Sequence, residues 1–516
     1  MTTVPVARNL RPLMVLGCTS DAGKSLLTTA LCRWFARRGI DVAPFKAQNM
    51  SNNARVVDGG EIGVAQWLQA RAAGVEPEVA MNPVLVKPEA DMQSQVVVKG
   101  RVDRELSARR WNERHDALWE PMAASFDELA ARFDLVVIEG AGSPAEINLR
   151  DQVNNRMIAH ADAAGILVSD IDRGGSFAHL YGTWSLVPPS TRQRLSAYVL
   201  NRFRGDPLLL SPGPERLRDL TGMENLGVLP MLEHALPREE GFAETGIAPI
   251  GSTLQSSTRQ SSTIVAIPRL PYGSNLDEFH LLGSVVRIRW VDHPDQLDEL
   301  RAGRDMMILP GSKHVSSDLR WLFDRGLDGA IRRAAGRGVR TMGICGGAMM
   351  LGHEIADPLG VESGGIESGA SQSAHHSALG ILDLRTTLRG QKYVSSTSVQ
   401  FGAFPADSAS DDRPYISLAG RRVDGYEIRH GVVEPLFDGS VVVVGRTAGE
   451  GGGRPVAWAD GHVIATTVHG LLEDPAVVET LFGRRPESVL EATFDLLADA
   501  VDAHLDIELL DRMVGS

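Results

Sequence analysis

Short apolar runs alternate with longer amphipathic segments along both halves of the chain. In the first half each apolar run precedes a loop and a helix-like segment, and the runs cover residues 13–16, 42–44, 135–138, 165–168 and 197–200. Uninterrupted apolar runs of this length are typical of strands that are buried on both faces. Strands that alternate with helices predict a mostly parallel sheet between helical layers, which is an α/β fold.

A second alternating region begins after a polar stretch. Residues 243–262 are rich in Ser, Thr, Gly and Gln and lack a hydrophobic period, which is typical of a linker. Strand-like runs then recur at residues 263–267, 285–290, 306–309 and 340–344. We therefore predict a first domain at 1–242, a linker at 243–262, a second domain at 263–480 and a C-terminal helical tail at 481–516.

Two segments of the second half carry further expectations. Residues 489–510 have a helical hydrophobic period, so we expect them to form a helix that packs against the second domain. Residues 362–424 are polar and less regular, which indicates an insertion or a set of surface loops.

Charge and cysteine content narrow the class of protein. The net charge is −13 and no run of Lys or Arg stands out, so the sequence lacks the electrostatic signature of a nucleic-acid-binding protein. The cysteines are few and odd in number, namely Cys18, Cys32 and Cys345, which fits a reducing compartment. No signal-peptide pattern or long apolar span is present, so we predict a cytoplasmic protein with no membrane partner.

A glycine-rich loop follows the first predicted strand and precedes a helix predicted over residues 26–38. Backbone N–H groups at such a helix start bind phosphate oxygens, a lysine neutralises their charge and a serine hydroxyl reaches Mg²⁺. We therefore predict ATP binding by Gly17, Thr19, Gly23, Lys24 and Ser25. Residues 18–22 separate the two glycines, one residue more than in the usual phosphate loop, and this variant resembles that of dethiobiotin-synthetase-type ATPases.

Acidic and polar residues near other strand ends supplement this site. Glu139 ends the strand-like run 135–138, where an α/β nucleotide site needs a carboxylate for Mg²⁺, and Glu61 is a second candidate. With Ser25, these form the predicted metal ligands, although a turn or cap is the alternative role for Glu139. Residues 44–53 gather amide and hydroxyl groups behind Lys46. We predict substrate contacts by Lys46, Gln48 and Asn49, with a plain polar loop as the alternative.

Near the middle of the second domain, a cysteine stands in a Gly-x-Cys-Gly-Gly sequence between a strand and a helix. Small neighbours permit the sharp turn that presents Cys345 at a helix start, where the helix dipole favours the thiolate. His469 follows the apolar run 463–468 and is the predicted base, with Glu473 as a candidate to orient it. Backbone N–H groups at Gly346 and Gly311 are the predicted oxyanion donors.

These stretches together resemble the glutamine-hydrolysing cobyric acid synthase family of cobalamin biosynthesis, and the resemblance covers most of the chain. The matching stretches are Gly-x-Thr-Ser-Asp-Ala-Gly-Lys-Ser at 17–25, Ala-Pro-Phe-Lys-Ala-Gln-Asn-Met-Ser at 43–51, Glu-Gly-Ala-Gly-Ser-Pro-Ala-Glu-Ile-Asn-Leu at 139–149, Pro-Gly-Ser-Lys at 310–313, Gly-Ile-Cys-Gly-Gly at 343–347 and His-Gly-Leu at 469–471. The resemblance implies a dethiobiotin-synthetase-like P-loop ATPase domain followed by a class I, flavodoxin-like glutamine amidotransferase domain.

The implied reaction is an ATP- and Mg²⁺-dependent ligation with glutamine as nitrogen donor and a corrinoid as acceptor. It amidates carboxylates b, d, e and g of adenosylcobyrinic a,c-diamide. The chain departs from the family at Ala348 and Met349, where the family usually has Tyr-Gln, and at Leu471, where many class I amidotransferases have Glu. Two alternatives stay open: the same chemistry on another polycarboxylate, such as cobyrinate a,c-diamide synthesis, and a non-catalytic ATP switch or scaffold.

Overall fold

A computed structural model describes residues 10–90, 93–148, 152–237, 263–362, 374–404, 415–449, 452–486 and 489–515. The predicted linker at 243–262 lies outside these residues. No helix within the described ranges is both long and apolar enough to cross a membrane.

The first domain is built on a fully parallel sheet. Its strands and those of two smaller sheets are β1 (Leu13–Gly17), β2 (Val42–Phe45), β3 (Gln48–Met50), β4 (Ala54–Val57), β5 (Gly60–Gly63), β6 (Val84–Ala90), β7 (Gln93–Val98), β8 (Arg101–Asp103), β9 (Leu135–Glu139), β10 (Ala164–Asp170), β11 (Leu195–Phe203) and β12 (Glu224–Pro230). The strand order of the main sheet is β12-β11-β10-β1-β9-β2. Because β1 lies between β9 and β10, the loop that follows β1 is flanked by the ends of both neighbours.

Helices cover both faces of this sheet. They are α1 (Lys24–Arg37), α2 (Val64–Ala73), α3 (Arg104–Ala108), α4 (Trp111–Ala130), α5 (Met157–His160), α6 (Ser176–Leu186), α7 (Pro189–Arg192) and α8 (Gly213–Thr221). Alternate residues of β1 belong to different cores: Leu13 and Val15 pack with α1, whereas Met14 and Leu16 face the other side. Burial on both faces explains why the strands appear as uninterrupted apolar runs in the sequence.

The second domain has its own, larger sheet. Its strands are β13 (Ile264–Pro268), β14 (Gly273–Ser274), β15 (Arg287–Val291), β16 (Met306–Leu309), β17 (Gly311–Ser312), β18 (Arg340–Ile344), β19 (Glu354–Asp357), β20 (Ala374–Ser377), β21 (Leu384–Phe401), β22 (Arg422–Pro435), β23 (Val442–Thr447), β24 (Pro455–Asp460) and β25 (Val463–Thr466). The strands β15, β13, β16, β18 and β25 pair in parallel in that order, and β24 then continues the sheet antiparallel. The predicted α/β fold of both halves is thereby confirmed.

The helices of the chain's second half are α9 (Asp295–Asp298), α10 (Val315–Asp324), α11 (Leu327–Gly336), α12 (Gly346–Leu351), α13 (Pro475–Phe482), α14 (Val489–His504) and α15 (Ile507–Val514). The expectation of surface loops across 362–424 was wrong for much of the segment, because β21 crosses it as a long strand paired with β22. One face of β21 is largely exposed, so polar residues interrupt its apolar pattern and the strand is not recognisable from the sequence.

The C-terminal helices α14 and α15 pack on the first domain, so the predicted packing on the second domain was wrong. Leu497, Val501 and Leu510 are buried in the same core as the apolar face of α1. The Arg33 Nε–Asp495 Oδ1 distance is 2.9 Å, and Trp34 Nε1 donates to Asp502 Oδ1 at 2.6 Å. The amphipathic period indicates that these helices pack on a core, but it does not specify which core.

Candidate active site

The cysteine of the second domain lies at a sharp turn between β18 and α12. Cys345 has φ 51° and ψ −103°, a strained conformation for a residue with a side chain. Its N–H donates to the Thr466 carbonyl at 2.7 Å, and the residue is 4% exposed. The turn therefore places the thiol at the helix N-terminus, beside the end of the neighbouring strand β25.

His469 follows β25, and its side chain lies beside Cys345 because β18 and β25 are parallel neighbours. The Cys345 sulfur is close enough to interact electrostatically with the imidazole, and the imidazole Nδ1 lies 3.0 Å from Glu278 Oε1. The second oxygen of Glu278 accepts from the Gly470 N–H at 3.1 Å. The Tyr426 ring stacks on the imidazole with centroids 5.4 Å apart. These contacts fix both the plane and the rotation of the imidazole.

The electrostatic environment keeps His469 protonated near neutral pH. Burial lowers the pKa of His469, but the Glu278 carboxylate and the Cys345 sulfur outweigh burial and raise the pKa to about 10. The imidazolium therefore holds a proton next to the sulfur that would attack a substrate. Such a pair has the nucleophile and proton donor that acyl transfer requires.

The two predicted oxyanion glycines converge on this pair. A side chain on Gly346 would place its Cβ 2.6 Å from the Ser312 nitrogen, and one on Gly311 would place its Cβ 2.6 Å from His469 Cε1. Only glycine fits at either position without a shift of its neighbours. The backbone at Gly311 and Gly346 is thus close to the reacting side chains, although their role as donors stays a prediction.

Glu278 was missed in the sequence, whereas Glu473 was named in its place. Glu473 Oε1 instead lies 2.7 Å from an Arg55 nitrogen. Glu278 lies far upstream of His469 and belongs to no catalytic motif. Its one local signal is a pair of acidic residues, Asp277 and Glu278, between the apolar Leu276 and Phe279.

Glu278→Gln is expected to lower the glutaminase rate by roughly 10²- to 10⁴-fold, because an amide neither fixes nor stabilises an imidazolium as a carboxylate does. Loss of the negative charge also lowers the pKa of His469, so the alkaline limb of the pH–rate profile moves to lower pH. Glutamate release measured against pH tests both effects. Glu299→Gln, a surface change in the same domain, serves as the control. An unchanged rate and profile in Glu278→Gln would contradict the assigned role.

The phosphate loop of the first domain joins β1 to α1. Lys24 Nζ donates to the Thr19 carbonyl at 3.4 Å, so the lysine lies over the loop. Ser25 Oγ donates to Glu139 Oε1 at 2.8 Å. The predicted nucleotide residues and Glu139 thus meet at the carboxyl edge of the sheet, where ligands bind in open α/β folds.

Glu139 is buried and has several polar partners. Its carboxylate accepts from Lys46 Nζ at 3.0 Å and from Gln69 Nε2 at 2.5 Å. Burial opposes its ionisation, but Lys46, Gln69 and Ser25 lower the pKa of Glu139 below its ordinary value. An ionised carboxylate beside a serine hydroxyl is the kind of oxygen pair that Mg²⁺ takes together with nucleotide phosphates, so Ser25 and Glu139 fit that ion.

The other predicted metal and substrate residues lie in different surroundings. Glu61 forms ion pairs with Lys87 and Lys392, and its Oε1 lies 2.6 Å from Lys392 Nζ. Burial lowers the pKa of both lysines. Asn49 Nδ2 donates to Gln66 Oε1 at 3.0 Å in a buried position, whereas Gln48 is only half-buried.

A cavity between the two domains reaches the cysteine. Its wall includes Asn52 and Lys87 from the first domain and Cys345 and Met349 from the second. Met349 occupies one of the positions where the chain departs from the family that it resembles. It packs so closely on Gly431 that a Cβ there would be 2.5 Å from Met349 Cε. The cavity at Cys345 is therefore closed in part by the first domain.

Comparison with known proteins agrees with this architecture. The family model described as "CobQ/CobB/MinD/ParA nucleotide binding domain" matches residues 13–240, and "CobB/CobQ-like glutamine amidotransferase domain" matches residues 264–477. A crystal structure of a glutamine amidotransferase is similar over 43% of this chain and 99% of its own, at 20% identity and a TM-score of 0.30. Fold and family models together define a glutamine amidotransferase with a nucleotide-binding domain, which is a carbon–nitrogen ligase.

Similar curated proteins identify the particular family. Cobyric acid synthase of Polaromonas sp. (strain JS666 / ATCC BAA-500) is 45% identical, with 98% of this chain and 99% of the relative covered. Cobyric acid synthase of Variovorax paradoxus (strain S110) is 47% identical over the same shares. The chain belongs to the cobyric acid synthase family, as its motifs indicated.

Proposed function

We propose that this chain forms cobyric acid by ATP-driven, glutamine-dependent amidation of carboxylates b, d, e and g of adenosylcobyrinic a,c-diamide. One observation carries the proposal: a Cys345–His469–Glu278 site and a phosphate loop with Glu139 occur in one chain, and a cobyric acid synthase matches 98% of that chain. The first site supplies ammonia, and the second activates the acceptor carboxylate. We further propose that the enzyme is cytoplasmic.

In the glutaminase half-reaction, Cys345 Sγ attacks the side-chain amide carbon of glutamine. The developing oxyanion accepts hydrogen bonds from the backbone N–H groups of Gly311 and Gly346. His469 donates its proton to the amide nitrogen, the C–N bond breaks and ammonia leaves. Water then attacks the thioester, releases glutamate and returns the proton to His469.

In the synthetase half-reaction, an acceptor carboxylate attacks the γ-phosphorus of ATP, the bond to the β,γ-bridging oxygen breaks, ADP leaves and an acyl phosphate forms. The backbone of the phosphate loop and Lys24 hold the triphosphate. Ser25 and Glu139 would hold Mg²⁺, which would neutralise part of the phosphate charge. Ammonia attacks the acyl carbon and phosphate departs, which leaves the amide. Lys46, Gln48 and Asn49 are proposed to line the acceptor side of this site.

The choice of acceptor is the test of this function. Glutamate release, phosphate release and corrinoid amidation are measured with adenosylcobyrinic a,c-diamide and, separately, with the corrinoid whose a and c carboxylates are free. We expect the diamide to stimulate all three. Preference for the free a and c carboxylates would favour the a,c-diamidation reaction, and nucleotide binding without glutamate release would favour a switch or scaffold.

Glu139→Gln is expected to raise the Mg²⁺ concentration for half-maximal synthesis by about 10-fold or more, because a neutral amide is a weaker ligand than a carboxylate. Glutaminase activity without acceptor should stay unchanged, since the substitution leaves Cys345 and the ion pairs of Arg55 with the second domain in place. Mg²⁺ titration of ammonium-driven synthesis measures the effect, and a melting curve checks that loss of the Lys46–Glu139 ion pair does not unfold the domain. The exposed Glu128→Gln is the control. A Mg²⁺ requirement identical to that of the wild type would rule out Glu139 as a ligand.

A further inference from the structure

Arg55 belongs to the first domain, yet its guanidinium is buried among acidic and aromatic side chains of the second. It lies in β4 and forms ion pairs with Asp277 and with Glu473, at 2.7 Å in the latter case. It also donates to the hydroxyl of Tyr426. The side chain is 7% exposed. A single residue of the first domain therefore contacts separate segments of the second.

Two of these partners, Asp277 and Tyr426, belong to the segments that hold the His469 imidazole. Asp277 immediately precedes Glu278, and the ring of Tyr426 stacks on the imidazole. The backbones of Tyr426 and His469 also bond to each other in both directions, at 3.1 and 2.8 Å. A displacement of Arg55 therefore affects the carboxylate and the ring that fix the imidazole.

The charges around the imidazole make Arg55 necessary. The titratable and charged groups around His469 are Cys345 from the elbow, Asp277 and Glu278 from one loop, Glu473 from another, Tyr426 from β22 and Arg55 from β4. Buried carboxylates without a cation are strongly unfavourable. The guanidinium of Arg55 is the cation on Asp277, so separation of the domains leaves that carboxylate uncompensated.

The segment that precedes Arg55 also reaches the nucleotide site. Lys46, a short distance upstream, is bonded to Glu139, which in turn is bonded to Ser25 of the phosphate loop. Next to Arg55, the N–H of Ala54 donates to Asn275 Oδ1 in the second domain at 3.1 Å. The continuous segment from Lys46 to Arg55 therefore begins at the proposed nucleotide site and ends beside the residues of the glutaminase site.

We propose that Arg55 is a positioning residue through which the synthetase domain holds His469 in its working orientation, so that glutamine hydrolysis is fast only when the domains are docked. The inference rests on the proposed glutaminase and adds the residue by which the other domain controls it. Arg55 acts through Asp277, Tyr426 and Glu278 and does not touch the reacting atoms.

The test is Arg55→Met in the full-length chain. We expect glutaminase kcat to fall by roughly 5- to 30-fold, with KM for glutamine little changed. Loss of the guanidinium leaves the carboxylates of Asp277 and Glu473 uncompensated, which raises the pKa of His469. The alkaline limb of the pH–rate profile for glutamine hydrolysis therefore moves to higher pH. Ammonium-driven synthesis should equal that of the wild type. Arg104→Met is the matched control, because Arg104 donates across the domain interface to the Gly390 carbonyl.

Arg55→Lys extends the test should the methionine variant fail to fold. Lysine keeps the charge but lacks the planar fork that joins Asp277, Glu473 and Tyr426, so kcat should fall while the alkaline limb stays in place. Wild-type glutaminase kcat in either folded variant, or an equal loss of ammonium-driven synthesis, would overturn the inference. Wild-type chain that releases glutamate without amidating the corrinoid would instead overturn the proposed function, and the Arg55 comparison would still be decided by glutamate release.

Discussion

Replacement of Cys345 by alanine should abolish synthesis from glutamine and leave synthesis from added ammonium at the wild-type level. The alanine side chain has no sulfur with which to form the thioester. The other residues of the site only assist the formation and breakdown of that thioester. We expect glutamine-driven product formation to fall by roughly 10⁴-fold or more. Ammonium-driven formation persists because the phosphate loop and Glu139 belong to the other domain.

Parallel assays with glutamine and with ammonium as nitrogen source measure this separation. Cys32→Ala is the matched control, because it removes a thiol of α1 that is buried in the core of the first domain. It should behave as the wild type with both nitrogen sources. Loss of both activities in folded Cys345→Ala would contradict the proposed division of labour between the domains.

Lys24→Met should give the opposite pattern. Synthesis from glutamine and from ammonium should both fall by roughly 10²- to 10³-fold, because the transferring phosphoryl group loses its positive partner. Glutamate release in the absence of acceptor should continue, since the Cys345–His469 pair is intact. The expected effect is large because Lys24 is 8% exposed and lies over the loop that is proposed to bind the phosphates.

Measurement of amide product, phosphate and glutamate in one reaction separates these effects. Lys99→Met is the control, because Lys99 is an exposed lysine of the same domain. It should leave all three quantities unchanged. Ammonium-driven synthesis at the wild-type rate in Lys24→Met would show that the phosphate loop does not serve the ligase reaction.

Much of the fold was predictable because its strands are buried on both faces. Runs such as 135–138 have no polar interruption, and their parallel order follows from the helices between them. β21 was not predictable for the converse reason, since its exposed face carries polar residues throughout its length. The packing of α14 and α15 was also hidden, because an apolar helix face does not specify its partner.

The parts of the site that could be predicted are those whose role shows in a short stretch of sequence. The turn around Cys345 and the strand before His469 each leave a pattern of a few residues, and the structure brings both side chains together. Glu278 and Arg55 leave no such pattern, because their roles come from contacts between distant segments. Their identification needed the pairing of β18 with β25 and the docking of the two domains.

The most direct test traces the side-chain amide nitrogen of glutamine into the corrinoid product. The full-length chain is incubated with ATP, Mg²⁺, adenosylcobyrinic a,c-diamide and glutamine that carries heavy nitrogen in its side-chain amide, and the corrinoid is analysed by mass spectrometry. We predict a product with four labelled amides, with one glutamate and one phosphate released for each. Glutamate and phosphate release with an unlabelled, unamidated corrinoid would contradict the account.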